Sequence, residues 1–404
     1  MLKSAPPVGW KKTALDHVAE VQTGIAKGKP INGAAVTVPY LRVANVQDGH
    51  VDLSVMKEIS LKPSEVDRYS LRKGDVLFTE GGDFDKLGRG TVWNGEIEPC
   101  LHQNHVFAVR PKPDRLLPEF LAFQAASQYG RRYFQLSSKQ STNLASINST
   151  QLKQFPVLLP PIPEQRKIAE ILRTWDEAIA KLEALRAAKH DCLTGLTQKL
   201  LGLGGAFPDR WKQRPLSAIS TRVRRQNGGG DHPVMTISAK SGFRLQSDKF
   251  SRDMAGSSVD RYIVLHEGEF AYNKGNSLTA PYGCIFPLDR PTALVPFVYF
   301  CFALKADLNR EFFAHLFAAG VLNHQLSRLI NSGVRNDGLL NLSPEDFFGC
   351  KVPVPPADEQ SAIASALTTA KQEIGLLETE IETLTRQKRG LMQKLLTGEW
   401  RVSC

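Results

Sequence analysis

No stretch of this chain comes near the roughly 20 consecutive apolar residues of a membrane span. The most apolar run, LVPFVYFCFAL over 294–304, is short and interrupted by Pro296, and it reads as a buried strand. The opening MLKSAPPVGW lacks the apolar core of a signal peptide. Cysteine is scarce: six in 404 residues, at positions 100, 192, 284, 301, 350 and 404, with no C-x-x-C pair. That scatter argues against a disulfide framework or a cysteine zinc site and suits reduced thiols in the cytoplasm. Catalytic signatures are missing too. There is no G-x-x-x-x-G-K-[ST] phosphate loop. LPPIP and VPPAD lack the polar first residue and the aromatic of an amino-methyltransferase motif, and no glycine-rich S-adenosylmethionine loop stands out. HQNH (102–105) places two imidazoles close together without further ligands, so it reads as polar strand-end residues and not as a metal site. EQRK (164–167) begins a helix, and its echo EQSA drops both basic residues, which removes it as a nuclease motif.

What the chain does contain is a duplication. PVLLPPIPEQRKIAEIL (156–172) and KVPVPPADEQSAIASAL (351–367) overlay at an offset of 195 residues. Pro160-Pro161 falls on Pro355-Pro356, and Glu164-Gln165 on Glu359-Gln360. Each copy then enters a long helical pattern with large apolar residues at steps of four and three. In the first these are Ile168, Leu172, Trp175, Ile179, Leu182, Leu193, Leu196 and Leu200; in the second, Ile363, Leu367, Ile374, Leu377, Ile381, Leu384, Leu391 and Leu395. That is a heptad seam. Proline belongs in a first helical turn and not beyond it, so the prolines mark the starts, and Gly202 and Gly398 mark the stops. Matched length and phase favour the two helices pairing with each other over each packing alone.

About 150 residues precede each helix: strand and turn patterns, then a helical one, LPEFLAFQAASQYGRRYFQL (117–136) in the first lobe and the stretch 307–330 in the second. LRKGDVLF (71–78) echoes LHEGEFAY (265–272), and VGWKKTAL echoes DRWKQRPL, but otherwise the two lobes share order and little identity. The frame is kept in duplicate while the heads differ, as in a reader of two dissimilar half-sites. Charge follows the same division. The net charge is +10: +5 lies in residues 1–163, +4 in 201–358, and only +1 on the two helices together. Basic heads on a neutral frame suit a polyanionic partner, with phosphate neutralisation supplying sequence-independent affinity.

YLRVANVQDG (40–49), GDVLFTEGG (75–82), QNHVFAVRP (103–111) and the doubled PP-x-x-EQ junction, whose helix ends QKLL-x-G, resemble the specificity subunit of type I restriction–modification systems across essentially the whole chain. The second head lacks the RVANVQDG and QNH signatures. The resemblance implies an α+β fold: two pseudo-repeated mixed α/β target recognition domains, separated and joined by two long helices that form an antiparallel coiled coil. The expected order is target recognition domain 1 (1–159), spacer helix (160–203), target recognition domain 2 (204–354) and spacer helix (355–404). It further implies a non-catalytic, cytoplasmic subunit that binds double-stranded DNA. Each head would read one part of a split site, and the helices would fix the gap and dock two modification subunits. S-adenosylmethionine, ATP and magnesium would belong to those partners and to the restriction subunits, with no cofactor or metal on this chain.

Arginine and lysine can pair with guanine, and asparagine and glutamine with adenine. On that chemistry the base-reading candidates in the first head are Arg42, Asn45, Gln47, Lys86, Arg89, Lys139 and Gln140. Lys86 and Arg89 sit in the glycine-rich EGGDFDKLGRG (80–90). In the second head they are Lys240, Arg244, Lys274, Asn276, Arg335 and Asn336. Arg166, Lys167 and Arg173 on the first helix are candidates for partner docking. A structural adaptor whose heads bind proteins, or a standalone DNA-modifying enzyme, are the competing readings. The first would bind DNA without sequence preference, and the second would turn over without added subunits.

Overall fold

Two helices dominate the chain, Ile162–Leu200 with 39 residues and Ala357–Leu396 with 40. At a rise of 1.5 Å per residue each is about 60 Å long. They belong to a computed structural model that describes residues 6–26, 33–82, 84, 87–88, 90–140, 145–203, 207–249, 260–275, 280–330 and 339–403. Gly202 and Gly398 follow the helices with φ of +63° and +71°, a left-handed ending that costs a glycine least. The chain forms two compact units, 1–184 with 379–404, and 185–378. Each unit therefore takes a part of both helices, where the sequence suggested four consecutive segments.

Within the first unit, Ile168 and Leu172 share a core with Met392, Leu395 and Leu396, and the Lys388 ammonium pairs with the Asp176 carboxylate. Rising numbers on one helix meet falling numbers on the other, so the packing is antiparallel. Within the second unit, Leu193, Leu196 and Leu200 lie against the core that holds Ile363, Ala364 and Leu367, and Lys189 Nζ donates to Glu373 Oε2 at 2.7 Å. The period of the apolar stripe thus sets which face of each helix is covered.

Each head is built on a four-stranded antiparallel sheet. In the first the order is Ala19–Thr23, Val106–Pro111, Val76–Thr79, Gly90–Val92; in the second it is Ser220–Arg222, Phe300–Leu304, Phe270–Asn273, Cys284–Pro287. The two orders correspond strand for strand. The LRKGDVLF/LHEGEFAY echo marks the turn into the central strand. Asp75 Oδ2 accepts from the Arg72 amide at 2.8 Å, and Glu269 Oε2 from the His266 amide at 2.8 Å. Arg110 grips Asp75 through two 2.8 Å bonds, while Arg225 pairs with Glu269.

The doubled junction closes each head. Lys11–Ala14 pairs with Pro156–Leu159, and Lys212–Pro215 with Lys351–Val354, so a head's first strand is zipped to its last just before the helix begins. Glu164 then accepts from Trp10 Nε1 (3.1 Å) and from Arg401 Nε and Nη2 (2.6 and 2.9 Å). Glu359 accepts from Trp211 Nε1 (3.0 Å) and from Arg210 Nε and Nη2 (2.5 and 3.1 Å). In the second head the arginine immediately precedes the tryptophan. In the first it comes from the far end of the chain, where Arg401 also donates to the Val8 carbonyl at 2.7 Å. Gln165 Nε2 donates to the carbonyls of Pro160 and Arg115 (2.9 and 2.8 Å) while its Oε1 accepts from Leu117 N (2.9 Å). Gln360 does the same with Pro355 O (2.8 Å) and Asn309 N (2.9 Å).

Three sequence expectations change. The run 294–304 is not one strand but two, Thr292–Val295 and Phe300–Leu304, with a turn in which Tyr299 N donates to Pro296 O at 3.0 Å. Proline lacks the donor a continuous ladder needs there. The helical pattern near 117–136 breaks at Ser127 into Pro118–Ala126 and Gln128–Ser137, because Ser127 is extended and accepts from the Gly130 amide at 3.4 Å as a new N-cap. The stretch 307–330 is likewise two helices, Arg310–Ala318 and Asn323–Leu329.

Replacing Gln165 by Ala leaves one amide and two carbonyls at the junction without their partner, at a cost of about 1–3 kcal/mol. Thermal unfolding of the Gln165→Ala protein should be lowered accordingly, and Gln360→Ala should do the same to the second unit. A second expectation concerns pH. His315 is buried, with Nε2 2.9 Å from Thr368 Oγ1, and burial together with the Lys371 charge lowers its pKa from 6.5 to about 4. The unfolded imidazole binds a proton at a pH where the folded one does not, so this contribution to stability is complete above pH 6.5 and is lost as pH falls towards 4. Amide exchange in Arg310–Ala318 should accelerate across that window, and the acceleration should be smaller in His315→Gln.

Candidate nucleic-acid interface

The central strand of each head ends beside the segment that leads to its junction. In the first head Ile147 N donates to the Glu80 carbonyl at 2.8 Å, and Gly81 pairs with Ser146. In the second, Leu340 N donates to the Lys274 carbonyl at 2.9 Å, and Gly275 bridges Leu339. These pairings draw together chain segments that lie far apart in sequence. Lys139–Gln140 joins the same small sheet, opposite Ala145–Ser146, which in turn pairs with Gly81–Gly82. Lys139 is exposed there. Lys86, Arg89, Asn276, Arg335 and Asn336 lie outside the described residues.

The turns that flank the central strand reach the same edge. In the first head His105 pairs through Nδ1 with the Glu80 carboxylate, and Glu80 N donates to the His105 carbonyl at 2.9 Å. His102, by contrast, is buried and sets Nδ1 2.7 Å from the Val106 carbonyl; burial lowers its pKa, which favours the neutral ring. The two imidazoles of HQNH thus serve different partners. In the second head the equivalent turn carries Phe297, 45% exposed, with the Arg261 guanidinium 4.4 Å from its ring centroid. Lys274 Nζ lies 5.2 Å from the Phe300 ring, and Arg222 lies 6.0 Å from that ring and 5.7 Å from Phe348. Asn273 Nδ2 donates to Ile237 O at 3.1 Å, which holds the hairpin Met235–Ser238/Gly242–Leu245 beside this edge. Lys240 is exposed at the hairpin turn, and Arg244 is exposed with Nε 2.8 Å from Ser241 Oγ.

Asn45 is a correction. It is 3% exposed, its Oδ1 accepts from Arg42 N at 3.0 Å, and its Nδ2 donates to the carbonyls of Asp52 and Val55 at 2.8 and 3.2 Å. Its amide holds a loop and has no open edge for an adenine. Arg42 is half-buried and gives Nη2 to the Val55 carbonyl at 2.8 Å, which ties that guanidinium to the same loop. Gln47 donates to Ala44 O at 2.7 Å and lines a cavity of about 250 Å3 with Asp48, His50, Leu87, Gly88 and Arg131. Arg131 is ion-paired with Asp48. Arg131, Arg222, Phe297 and Glu80 are not among the candidates that the sequence offers. The pair Arg131-Arg132 and the cluster Arg222, Arg224 and Arg225 carry a usable signal; nothing local marks Phe297 or Glu80.

Comparison with known proteins assigns this architecture. Residues 7–188 match the type I restriction modification DNA specificity domain. Over 98% of its length the chain aligns with 95% of the type I restriction enzyme MjaX specificity subunit of Methanocaldococcus jannaschii, at 24% identity. Along nearly its whole length the chain is similar to type I specificity subunits. A second relative, the StySPI specificity subunit of Salmonella potsdam, is 29% identical over 53% of this chain and 46% of its own. The fold is shared with the HsdS subunit of Thermoanaerobacter tengcongensis (TM-score 0.53, 17% identity, 98% and 99% of the two chains). It is shared also with the S subunit of M. genitalium (TM-score 0.57, 16% identity, 97% of each). The domain match covers the first head and most of the first helix, the part of the chain that carries the RVANVQDG and QNH signatures.

If Asn45 is a loop staple, Asn45→Ala should cost about 1–3 kcal/mol of stability. The set of sequences bound should be unchanged where the variant is folded. Paired melting curves and binding-site selections would check both parts.

Proposed function

We propose that this chain is a type I specificity (S) subunit that reads a bipartite site on double-stranded DNA, one part per head, and carries no catalytic machinery of its own. The observation that carries this reading is that each head has a sheet of the same strand order closed by a corresponding junction, with different side chains at corresponding edges. A repeated scaffold with unlike reading edges is what two unlike half-sites require. The net charges of +5 and +4 on the head segments supply phosphate affinity and orientation on the duplex. Joining both heads in one chain makes the second contact intramolecular, which raises avidity without new contacts. Continuous helices give the gap between half-sites a fixed length.

In this reading the helices also dock two modification subunits, which bring S-adenosylmethionine and methylate adenine, and through them restriction subunits that use ATP and magnesium. The assembly works in the cytoplasm, and no described helix is long and apolar enough to cross a membrane. Leu185 and Leu376, 45% and 71% exposed on the helices, support a docking role, as do Arg166, Lys167 and Arg173 on the exposed side of the first helix. Two of these charges are already paired locally, Lys167 with Glu170 at 3.2 Å and Arg173 with Glu177 at 3.5 Å.

The test is methylome sequencing of a host that expresses this chain with its modification subunit. A split motif methylated on both strands is expected. Inserting a few residues into both helices should change the gap and leave each half of the motif as it was. Methyl transfer or cleavage by the purified chain alone, or sequence-blind DNA binding in the presence of the modification subunit, would refute the proposal.

A further inference from the structure

Glu80 and Lys274 occupy one and the same position in the two heads. Each directly follows the central strand of its sheet, Val76–Thr79 or Phe270–Asn273. Each offers its carbonyl to an amide of the segment leading to the junction, at 2.8 and 2.9 Å, and each precedes a glycine paired to that segment. The backbone is therefore the same, and the side chains are opposite in charge.

Charge reversal at this place is informative. A lysine beside DNA gains from every nearby phosphate, so its presence needs no particular base. A carboxylate is repelled by those phosphates and lowers overall affinity. It is compatible with a reading edge only where a base offers it a donor, and in the major groove those donors are the exocyclic amines, cytosine N4 and adenine N6. The Glu80 side chain is 32% exposed and is held by the His105 imidazole. The turn carrying that histidine is pinned by Gln103 N to Leu41 O (2.9 Å) and Asn104 N to Ile25 O (3.0 Å). A carboxylate fixed in this way is oriented before a ligand arrives. Lys274 is restrained in its own fashion by the Phe300 ring, 5.2 Å from its ammonium.

We propose that this shared position determines specificity in both heads. Glu80 accepts a hydrogen bond from an exocyclic base amine in the first half-site, with His105 as its positioning residue, and Lys274 donates to guanine O6 or N7 in the second. The inference rests on the DNA-reading function proposed above. It adds that one base in each half of the motif is chosen by the sign of charge at this position.

The experiment uses the full-length chain assembled with its modification subunit and compares methylated motifs genome-wide for wild type, Glu80→Gln, Glu80→Asp, His105→Ala and Lys274→Gln. Glu80→Gln should relax or alter a single base in one half of the motif, with discrimination at that base falling about tenfold or more. The other half should be untouched. Glu80→Asp, which keeps the carboxylate, should retain the wild-type motif, and His105→Ala should blur the same base as Glu80→Gln. Lys274→Gln should relax one base in the opposite half. A motif unaltered in every variant, or a uniform fall in methylation in all sequence contexts, overturns the assignment and leaves the DNA-reading function standing. A wild-type complex with no split motif overturns that function instead, so the two failures are distinguishable.

Discussion

The architecture depends on a carboxylate and an amide placed side by side in the first turn of each long helix. Glu164 and Glu359 are anchored by a tryptophan N–H and an arginine fork; Gln165 and Gln360 occupy the backbone groups at the entrance to the head's own helix. Hydrogen bonds to a charged group are stronger than most neutral ones. Glu164 and Gln165 are also buried, so a missing partner would leave a polar group stranded away from water. The junction therefore fixes the angle at which a helix leaves its head. That constraint is the same twice, which accounts for a sequence duplicated at its prolines and at its Glu-Gln pairs and diverging elsewhere.

The division of labour between frame and edge follows from it. Sheet order, junction pairing and the acid that caps the central-strand turn are common to both heads, and they set where the loops emerge. What the loops present is free to differ. Glu80 with His105 stands in one head where Lys274 with Phe300 stands in the other. The first head closes its edge with Lys139–Gln140 on a small sheet, and the second brings up the Lys240 hairpin and the Phe297 turn. Packing demands fall on the frame, where a changed residue costs stability. Exposed edge side chains are free of those demands, so they can change at little cost in stability.

Much of this was legible in the residues. Heptad steps, a proline-led start and a glycine stop predict each long helix from local rules alone, and the Trp-Lys and Gly-acid echoes predict that the heads share a beginning and a central strand. The failures were also physical. An apolar run through Pro296 looks continuous until the missing N–H forces a turn, and Ser127 breaks a helical pattern because its hydroxyl caps a new helix better than it continues the old one. Asn45 resembles a base reader because its chemistry permits it, but the fold spends its amide on a loop.

The duplicated plan, the neutral helices and the basic heads follow from local rules, since period, proline chemistry and charge count need no knowledge of what lies across space. Which polar side chains the edges offer depends on contacts between distant segments. An amide such as Asn45 is available or spent according to whether the carbonyls of Asp52 and Val55, seven and ten residues on, return to meet it. Segments some 65 residues apart, at Gly81 and Ser146, become neighbours through a ladder that no local pattern encodes.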